Sequence, residues 1–304
     1  MYISLLETFI KAAESGSFNK TAELLFVTPP AVVKQINLLE DTLNLKLFER
    51  SHRGLTLTPA GRSLYRDSVY IVAYLNDAVE RARTADGQPV IRVGVSQLTP
   101  LEPFMKYWPD VQKVMPGVRF MIVPFENTPE NAREILQYLG ARVDVVPGIF
   151  DDTMLSLRQC GGMELEKMPL RVAVPLQNPL VRRSPLSIED LEGQTLLIMR
   201  QGWSRAVDRL RADILKNHPS ITLRDFDFYD ISVFNRCENN EGLLLTVDSW
   251  KAVHPMLRIL PVRWNYEISF GLLHSLKPLP EVQSFLSALR KVPQPDGRKN
   301  SPQV

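Results

Sequence analysis

Residues 18–43 have the sequence FNKTAELLFVTPPAVVKQINLLEDTL, and this stretch decides how the N-terminal part of the chain folds. Its second half carries apolar residues at spacings of four, three and four, namely Val32, Ile36, Leu39 and Leu43. This spacing is typical of a helix with one buried face. Thr28 is predicted to cap the helix, and Pro29 to open it at a position where a missing N–H costs nothing.

A shorter helix is predicted just before this one, and a first helix before both. The first helix has the same buried-face spacing, carried by Leu5, Leu6, Phe9, Ile10 and Ala13, and Gly16 is predicted to end it. Asn19 is predicted to cap the second helix, which Phe26 and Val27 join tightly to the third. Two short helices joined by a tight turn predict a helix-turn-helix.

A β-hairpin is predicted after the third helix. Residues 47–50 and 55–58 alternate as short strands do, and Gly54 supplies the turn between them. The region from 34 to 66 carries six basic residues against three acidic ones, namely Lys34, Lys46, Arg50, Arg53, Arg62 and Arg66 against Glu40, Asp41 and Glu49. A helix-turn-helix with a basic hairpin predicts contact with DNA. The alternative is a plain helical packing module with a solvated basic face.

The residues predicted to contact DNA lie on the outward face of the third helix and on the hairpin. They are Thr28, Pro29, Pro30, Val33, Lys34 and Asn37 on the helix, and Arg50 and Arg53 on the hairpin. A helix of this size fits a major groove about 12 Å wide. The hairpin arginines would then lie at the height of the phosphates or the minor groove.

A dense set of residues in this region resembles the winged helix-turn-helix of LysR-type transcriptional regulators. The set comprises Phe9, residues 13–18, Ala22, Leu25, residues 28–32, residues 34–36, Leu39, Glu40, Leu43, residues 47–50, Arg53 and residues 57–61. The resemblance implies a regulator that binds double-stranded DNA as a homodimer or homotetramer. It also implies a small-molecule effector and contact with RNA polymerase. A cytoplasmic location and no cofactor are expected as well.

Two positions depart from the family pattern. Pro29 stands where the family usually has a polar residue such as Gln, and Val33 where it has Ser or another small polar residue. Neither side chain can donate a hydrogen bond to a base. Base recognition is therefore expected to depend on Lys34, on apolar contact of Val33 with a thymine methyl group, and on DNA shape.

One long helix is predicted over residues 59–84, with Thr58 as its cap. Leu64, Ile71 and Ala78 are seven residues apart, as are Leu75 and Ala82, which approaches a coiled-coil repeat. A helix of about 26 residues is roughly 39 Å long, too long for the 58-residue domain before it to cover. Dimerisation is therefore predicted, and a twofold dimer implies an inverted-repeat DNA site.

Residues 85–291 alternate apolar strands with helices, which predicts an α/β domain with a parallel sheet. The expected fold is thus α+β and multidomain: a winged helix-turn-helix at 1–58, the linker helix, and this regulatory domain. It resembles a two-lobed periplasmic-binding-protein-like effector domain, with one lobe at about 90–162 and 266–291 and the other at about 163–265. Residues 292–304 are polar and rich in proline, and they predict a disordered tail.

An effector is expected beyond the carboxyl ends of the strands, where such sheets bind ligands. The candidate residues in these loops are Ser96, Gln97, Leu98, Thr99, Thr128, Phe150, Arg200, Gln201, Gly202, Trp203, Ser204 and Thr246. Ser204 is also predicted to open a helix, whose N-terminus would favour an anion. For each position the alternative is structural, because a Ser or Thr after a strand is often a helix cap and a Trp often packs in a core.

Composition and the absence of certain motifs argue against several other classes of protein. The 304 residues carry a net charge of +2, so DNA contact needs a local patch, and the two cysteines form no CxxC pair. No secretory signal and no apolar run long enough for a membrane span is evident. The histidines share no metal-ligand spacing, and no P-loop, GxGxxG or GxSxG motif occurs, so no enzyme is predicted. A solute-binding protein or an enzyme built on the two-lobed domain is the alternative.

Overall fold

The computed structural model of the protein describes residues 2–51, 54–83 and 89–291. The chain divides into two units, residues 1–87 and residues 88–304. Arg53, residues 84–88 and the predicted tail at 292–304 lie outside the described residues. None of the helices in the described ranges has the length and apolar character that a membrane crossing requires.

The N-terminal unit has three helices, a hairpin and a long fourth helix. These elements are α1 (Tyr2–Ser15), α2 (Phe18–Leu25), α3 (Pro29–Leu43), β1 (Phe48–Ser51), β2 (Gly54–Leu57) and α4 (Pro59–Arg83). The hairpin strands are antiparallel, with Phe48 opposite Leu57. The predicted order of elements is confirmed, and α4 lies within a residue of its predicted bounds.

Local capping explains where these helices begin and end. Ser17, and not the predicted Asn19, caps α2 by accepting a hydrogen bond from the N–H of Lys20. Phe26 ends α2 in the left-handed conformation at φ 55°, which turns the chain sharply into α3. Thr58 caps α4 as predicted, because its Oγ1 accepts from the N–H of Gly61 at 2.9 Å.

The core of the N-terminal unit joins all of its helices to the hairpin. The predicted stripe of α3 is buried at Val32, Ile36 and Leu39. It packs with Leu5, Leu6 and Phe9 of α1, Ala22 of α2, and Leu47 and Phe48 at the hairpin. Phe9 and Phe48 meet edge to face, with ring centroids 5.4 Å apart. Burial of these side chains fixes the orientation of α3 against the hairpin.

The C-terminal unit begins with strands and helices in alternation, then runs through a long strand into a second set. The first set is β3 (Val90–Val95), α5 (Glu102–Met105), α6 (Trp108–Val114), β4 (Arg119–Pro124), α7 (Pro129–Gln137), β5 (Val145–Phe150) and α8 (Asp152–Arg158). The second set is β6 (Gly161–Pro175), β7 (Thr195–Met199), α9 (Arg205–Asn217), β8 (Thr222–Phe226), α10 (Ile231–Glu238), β9 (Leu243–Val247) and β10 (Leu257–Pro261). The unit closes with β11 (Glu267–His274) and α11 (Pro280–Arg290).

We call the part before β6, together with β11 and α11, the first lobe, and the part between β6 and β11 the second lobe. One sheet of nine strands runs through both, in the order β4-β3-β5-β11-β6-β9-β7-β8, with β10 paired to β6. The chain crosses between the lobes twice, leaving through β6 and returning into β11, so the predicted two-lobed α/β fold is confirmed. The sheet is mixed and not parallel throughout as predicted, because β11 and β6 run antiparallel to each of their neighbours.

The two central strands β6 and β11 approach unusually closely at a bulge. Their register shifts between Phe270 and Gly271. A Cβ atom on Gly271 would lie 1.9 Å from the carbonyl oxygen of Met163. No side chain fits there, so glycine is what allows the crossover strands to pair.

A buried ion pair fixes the start of the first lobe. The Arg92 guanidinium donates to the Asp144 carboxylate at 2.7 and 3.1 Å, and the Arg92 N–H donates to the same carboxylate at 2.8 Å. The guanidinium also donates to the carbonyls of Ala141 and Gly140. The charges are thus fully hydrogen-bonded, as burial requires, and they hold the approach to β5 against β3.

Candidate functional site

The outward face of α3 lines an open groove on the N-terminal unit. The groove is lined by Phe18, Asn19, Pro29, Pro30, Val33, Lys34, Asn37, Leu38 and Asp41. Five of the eight residues predicted to contact DNA are therefore together on one surface. The buried stripe on the opposite face of α3 explains this placement, because it turns these side chains outward.

Arg50 of β1 lies beside this groove and is held in place. Its guanidinium donates to Asn37 Oδ1 at 2.6 Å and lies over the Phe18 ring, 5.1 Å from the ring centroid. The hairpin arginine and the outward residue of α3 thus form one polar unit. Asn37 keeps its amide N–H groups available for a partner, because the bond to Arg50 uses its oxygen.

Thr28 occupies the cap position of α3, as predicted, but its hydroxyl does not cap the helix. The backbone carbonyl of Thr28 instead accepts the first hydrogen bonds of α3, from the N–H groups of Ala31 and Val32. With Pro29 and Pro30 next to it, the first turn of α3 presents few N–H donors. The Thr28 hydroxyl, which forms no hydrogen bond within the described chain, is available at this end of the groove.

Glu40 connects the buried side of α3 to the hairpin. Its side chain is 2% exposed, and its Oε1 accepts from the N–H groups of Leu47 at 2.7 Å and Phe48 at 3.2 Å. Lys46 donates to its Oε2 at 2.9 Å. Burial alone raises the pKa of Glu40, but the hydrogen bonds from Lys46, Leu47 and Phe48 outweigh burial and hold the pKa below its ordinary value of 4.5.

The lowered pKa of Glu40 predicts a loss of stability in acid. A carboxyl group with a lower pKa in the folded state stabilises the fold above its unfolded pKa of 4.5 and loses that contribution as the pH falls through the folded value. Between pH 6 and acid, we expect the free energy of unfolding of the wild-type N-terminal unit to fall by about 1 kcal/mol more than that of the Glu40→Gln variant. The free energy of unfolding is measured by urea titration at each pH. The unfolded fraction is read from a short pulse of hydrogen exchange at one fixed labelling pH, in the peptides around α3. The exposed Glu49→Gln variant is the control, and equal pH dependence in wild type and Glu40→Gln would contradict the assignment.

A second candidate site is the cleft between the lobes of the C-terminal unit. Two adjoining cavities share Ile149, Met154, Met199, Tyr229 and Trp250 in their linings. The first is also lined by Leu98, Thr99, Phe125, Asn127, Arg158 and Phe228, and the second by Trp203, Ser204 and Thr246. Most of these residues stand at or just after the carboxyl ends of strands, where the sequence predicted a ligand.

Hydrogen bonds cross this cleft from one lobe to the other. The Trp250 indole N–H donates to the carbonyl of Leu98 at 2.9 Å, and Asn127 Nδ2 donates to the carbonyl of Tyr229 at 2.8 Å. Gln97 Nε2 also donates to the carbonyl of Val253, at 3.1 Å. These bonds hold the lobes in a closed arrangement around the cavities.

Asp151 occupies the N-terminus of α9. Its Oδ2 accepts from the Ser204 hydroxyl at 2.7 Å and from the Ala206 N–H at 3.2 Å, while its Oδ1 accepts from the Met154 N–H at 3.0 Å. Ser204 caps α9 as predicted, through the Val207 N–H. The anion expected at this helix end is therefore a side chain of the protein itself.

The structure brings five of the twelve predicted effector residues into the cleft lining, namely Leu98, Thr99, Trp203, Ser204 and Thr246. The other seven are not part of the cavity linings. Ser96 bonds to Thr99, Gln97 reaches Val253, Thr128 caps α7, Phe150 packs in a core, Arg200 pairs with Asp227, and Gln201 and Gly202 are exposed. Effector binding by any of the twelve stays a prediction.

Several residues of the cleft were not predicted from the sequence. Arg158 and Met154 lie on α8, a helix that was not predicted because its seven residues are too few for a clear period. Tyr229 and Trp250 follow β8 and β9, and their rings meet with centroids 4.6 Å apart. An aromatic residue just after a strand was the signal available for both.

Comparison with known proteins identifies the N-terminal region. Residues 3–62 match the family described as bacterial regulatory helix-turn-helix protein, lysR family. A glycine cleavage system transcriptional activator homolog of Haemophilus influenzae is 37% identical over 123 residues, which are 38% of this chain and 41% of that protein. The glycine cleavage system transcriptional activator of Escherichia coli K12 is 29% identical over 211 residues, which are 66% of this chain and 63% of that protein. The chain therefore matches less than two thirds of the length of these relatives.

Solved structures share the fold over nearly the whole chain. CbnR, a LysR family transcriptional regulator, superposes with a TM-score of 0.73 at 18% identity, covering 96% of this chain and 99% of CbnR. Full-length CbnR complexed with its target DNA gives a TM-score of 0.72. At this identity the likeness shows that both units have the folds found in a full-length LysR regulator.

Proposed function

The chain carries the N-terminal helix-turn-helix of the LysR family, and from this premise we propose that it is a transcriptional regulator that binds double-stranded DNA and responds to a small molecule. The observation that carries the proposal is the groove on α3, which holds five of the predicted DNA contacts with Arg50 beside it. No catalytic step is assigned to the chain.

In this proposal α3 enters the major groove with its N-terminal turns leading. Lys34 and the amide N–H groups of Asn37 supply the polar contacts, and Val33 supplies an apolar contact to a thymine methyl group. Arg50 contacts a phosphate from a position that Asn37 and Phe18 already fix, which reduces the entropy lost on binding. The Thr28 hydroxyl donates to a second phosphate.

We assign dimerisation to α4. Leu64, Tyr65 and Val72 pack against the core of the N-terminal unit, while Ile71 and Val79 are exposed at 50% and 42%. Apolar side chains left exposed along a helix of this length favour a second copy of the helix as their partner. A twofold dimer requires an inverted-repeat operator. The tetramer, the contact with RNA polymerase and the cytoplasmic location are carried over with the family.

The proposed effector site is the cleft of the C-terminal unit. A ligand shifts an equilibrium between two arrangements of the lobes only if it binds one of them more tightly. The hydrogen bonds from Trp250, Asn127 and Ser204 across the cleft are the contacts that such a ligand would strengthen or replace. Among the residues predicted for the effector, Leu98, Thr99, Trp203 and Thr246 have positions suited to contact it.

Selection from a random duplex library with the full-length protein tests the DNA-binding proposal. We expect recovery of one inverted repeat, bound roughly 1,000-fold more tightly than a scrambled duplex at the same salt concentration. Fluorescence anisotropy across a salt series should also show the affinity falling as salt rises. Failure to enrich any sequence, or equal affinity for the recovered and scrambled duplexes, would overturn the proposal.

A further inference from the structure

Arg158 is the one charged residue among those that line the two described cavities of the cleft. It ends α8, and its guanidinium forms no hydrogen bond or ion pair with any residue that the structure describes. Burial lowers the pKa of this guanidinium, and the charges of Cys160 and Asp151 act in the opposite direction. A guanidinium stays cationic at neutral pH, so the cleft holds a positive charge that no carboxylate of the described residues contacts in an ion pair.

The other anion-binding positions near the cleft are already filled. Asp151 occupies the N-terminus of α9, where its Oδ2 accepts from Ser204 and Ala206, and its Oδ1 caps α8 by accepting from the Met154 N–H. Arg200 is exposed and pairs with Asp227 at 2.9 Å. An acidic ligand in the cleft therefore has Arg158 as its counter-charge.

Two further polar atoms in the cleft lack partners. Thr246 Oγ1 and Trp203 Nε1 are buried, and within the described residues neither has a hydrogen-bond partner. Both side chains line the second cavity. Buried polar groups normally have a partner, so these two atoms indicate a place for a polar group of a bound molecule.

Apart from Thr99, Asn127 and Ser204, the remaining lining is apolar, and it includes several aromatic rings. Phe125, Phe228, Tyr229 and Trp250 contribute rings, and Met154 and Met199 contribute flexible thioether chains. Such a lining favours a flat or branched hydrocarbon body over a polyhydroxylated one. It also disfavours a dianion, because a single cation leaves the second charge uncompensated in an apolar cavity.

We propose that the effector is a small monocarboxylate with an apolar body, whose carboxylate pairs with Arg158 while the body packs against Tyr229 and Trp250. This inference rests on the proposed function, which assigns the effector to this cleft. The planar guanidinium matches the two oxygens of a carboxylate, so the pair is directional as well as charged. A second polar substituent on the ligand reaches Thr246 or Trp203.

Ligand titrations of the full-length protein, followed by tryptophan fluorescence, test the proposal. The probes are benzoate, phenylacetate and 3-methylbutanoate, the neutral amide of each, and phenyl phosphate as a dianion. We expect at least one acid to bind saturably in the millimolar range or below, more tightly than its amide and than phenyl phosphate. Arg158→Met should weaken that acid by at least about 10-fold and leave the amide unchanged, while Arg158→Lys restores part of the affinity.

Two controls keep the outcomes distinct. Arg142→Met removes an arginine of the same lobe that is absent from the cleft lining and should leave binding unchanged. Circular dichroism and affinity for the selected DNA confirm that each variant is folded. The proposal is overturned if no acid binds, if amides bind as tightly as acids, or if Arg158→Met has no effect. If any of these results is found while specific DNA binding is intact, only the proposed ligand class is wrong. If the wild type shows no specific DNA binding, the proposed function itself is wrong.

Discussion

Replacement of Lys34 and Arg50 by alanine in one variant is expected to weaken binding to the selected DNA by roughly 100-fold at low salt. Each side chain is expected to make a charge-assisted hydrogen bond, worth about 1.5 kcal/mol, and 1.4 kcal/mol is a factor of 10 in affinity. Lys34 lies in the α3 groove, and Arg50 is fixed beside it by Asn37 and Phe18.

The salt dependence of the same variant separates phosphate contacts from base contacts. Arg50 is the proposed phosphate contact of the pair and Lys34 the base contact, so the variant is expected to reduce the slope of log affinity against log salt by about 0.9, the value for one phosphate contact. Fluorescence anisotropy at several salt concentrations measures this slope. Lys11→Ala removes a lysine that pairs with Glu14 at 2.8 Å, outside the groove lining, and should change neither affinity nor slope appreciably. An unchanged slope in the double variant would show that Arg50 of β1 does not contact a phosphate.

Substitution Gly271→Ala is expected to destabilise the C-terminal unit by about 3 kcal/mol. The added Cβ would meet the Met163 carbonyl oxygen at 1.9 Å and the Met163 carbonyl carbon at 2.9 Å, so β6 and β11 must separate at the bulge. Urea unfolding followed by tryptophan fluorescence reports on this unit alone, because Trp108, Trp203, Trp250 and Trp264 all belong to it.

The glycine opposite on β5 provides a matched control. Gly148 pairs with Gly271 in the register of β5 and β11. A Cβ on Gly148 would meet Leu273 Cδ1 at 3.7 Å and Thr99 Cγ2 at 4.0 Å, which are ordinary contacts. Gly148→Ala should therefore cost less than about 1 kcal/mol. Equal losses in the two variants would show that the close approach of the crossover strands does not govern stability.

The elements that sequence analysis placed well are those fixed by local signals. The period of α3 and the cap at Thr58 each act within a few residues of the element they specify. The second helix was placed correctly but given the wrong cap, because Ser17 and Asn19 are both good capping residues two positions apart. Residue type alone does not decide between them.

The features that escaped prediction depend on residues distant in the chain. The first half of β6 pairs with β11, and this pairing joins residues about a hundred positions apart. The same holds for Ser204, whose hydroxyl donates to Asp151, 53 residues earlier. The local sequence around a serine that follows a strand is the same whether its hydroxyl contacts a ligand, a helix N–H or a side chain of the other lobe. The order of strands and loops in the sequence therefore indicated where the cleft lies, but not which side chains of the protein contact one another there.

The carboxylate of Asp151 at the start of α9 also has an evolutionary consequence. The protein supplies its own anion to that helix end, so the hydrogen bonds that join Asp151 to α9 form without a bound molecule. A substitution at Arg158 would then change which compounds the cleft accepts while leaving those bonds in place. Descendants of this chain could exchange one inducer for another, or lose it, without first having to preserve the fold by other mutations.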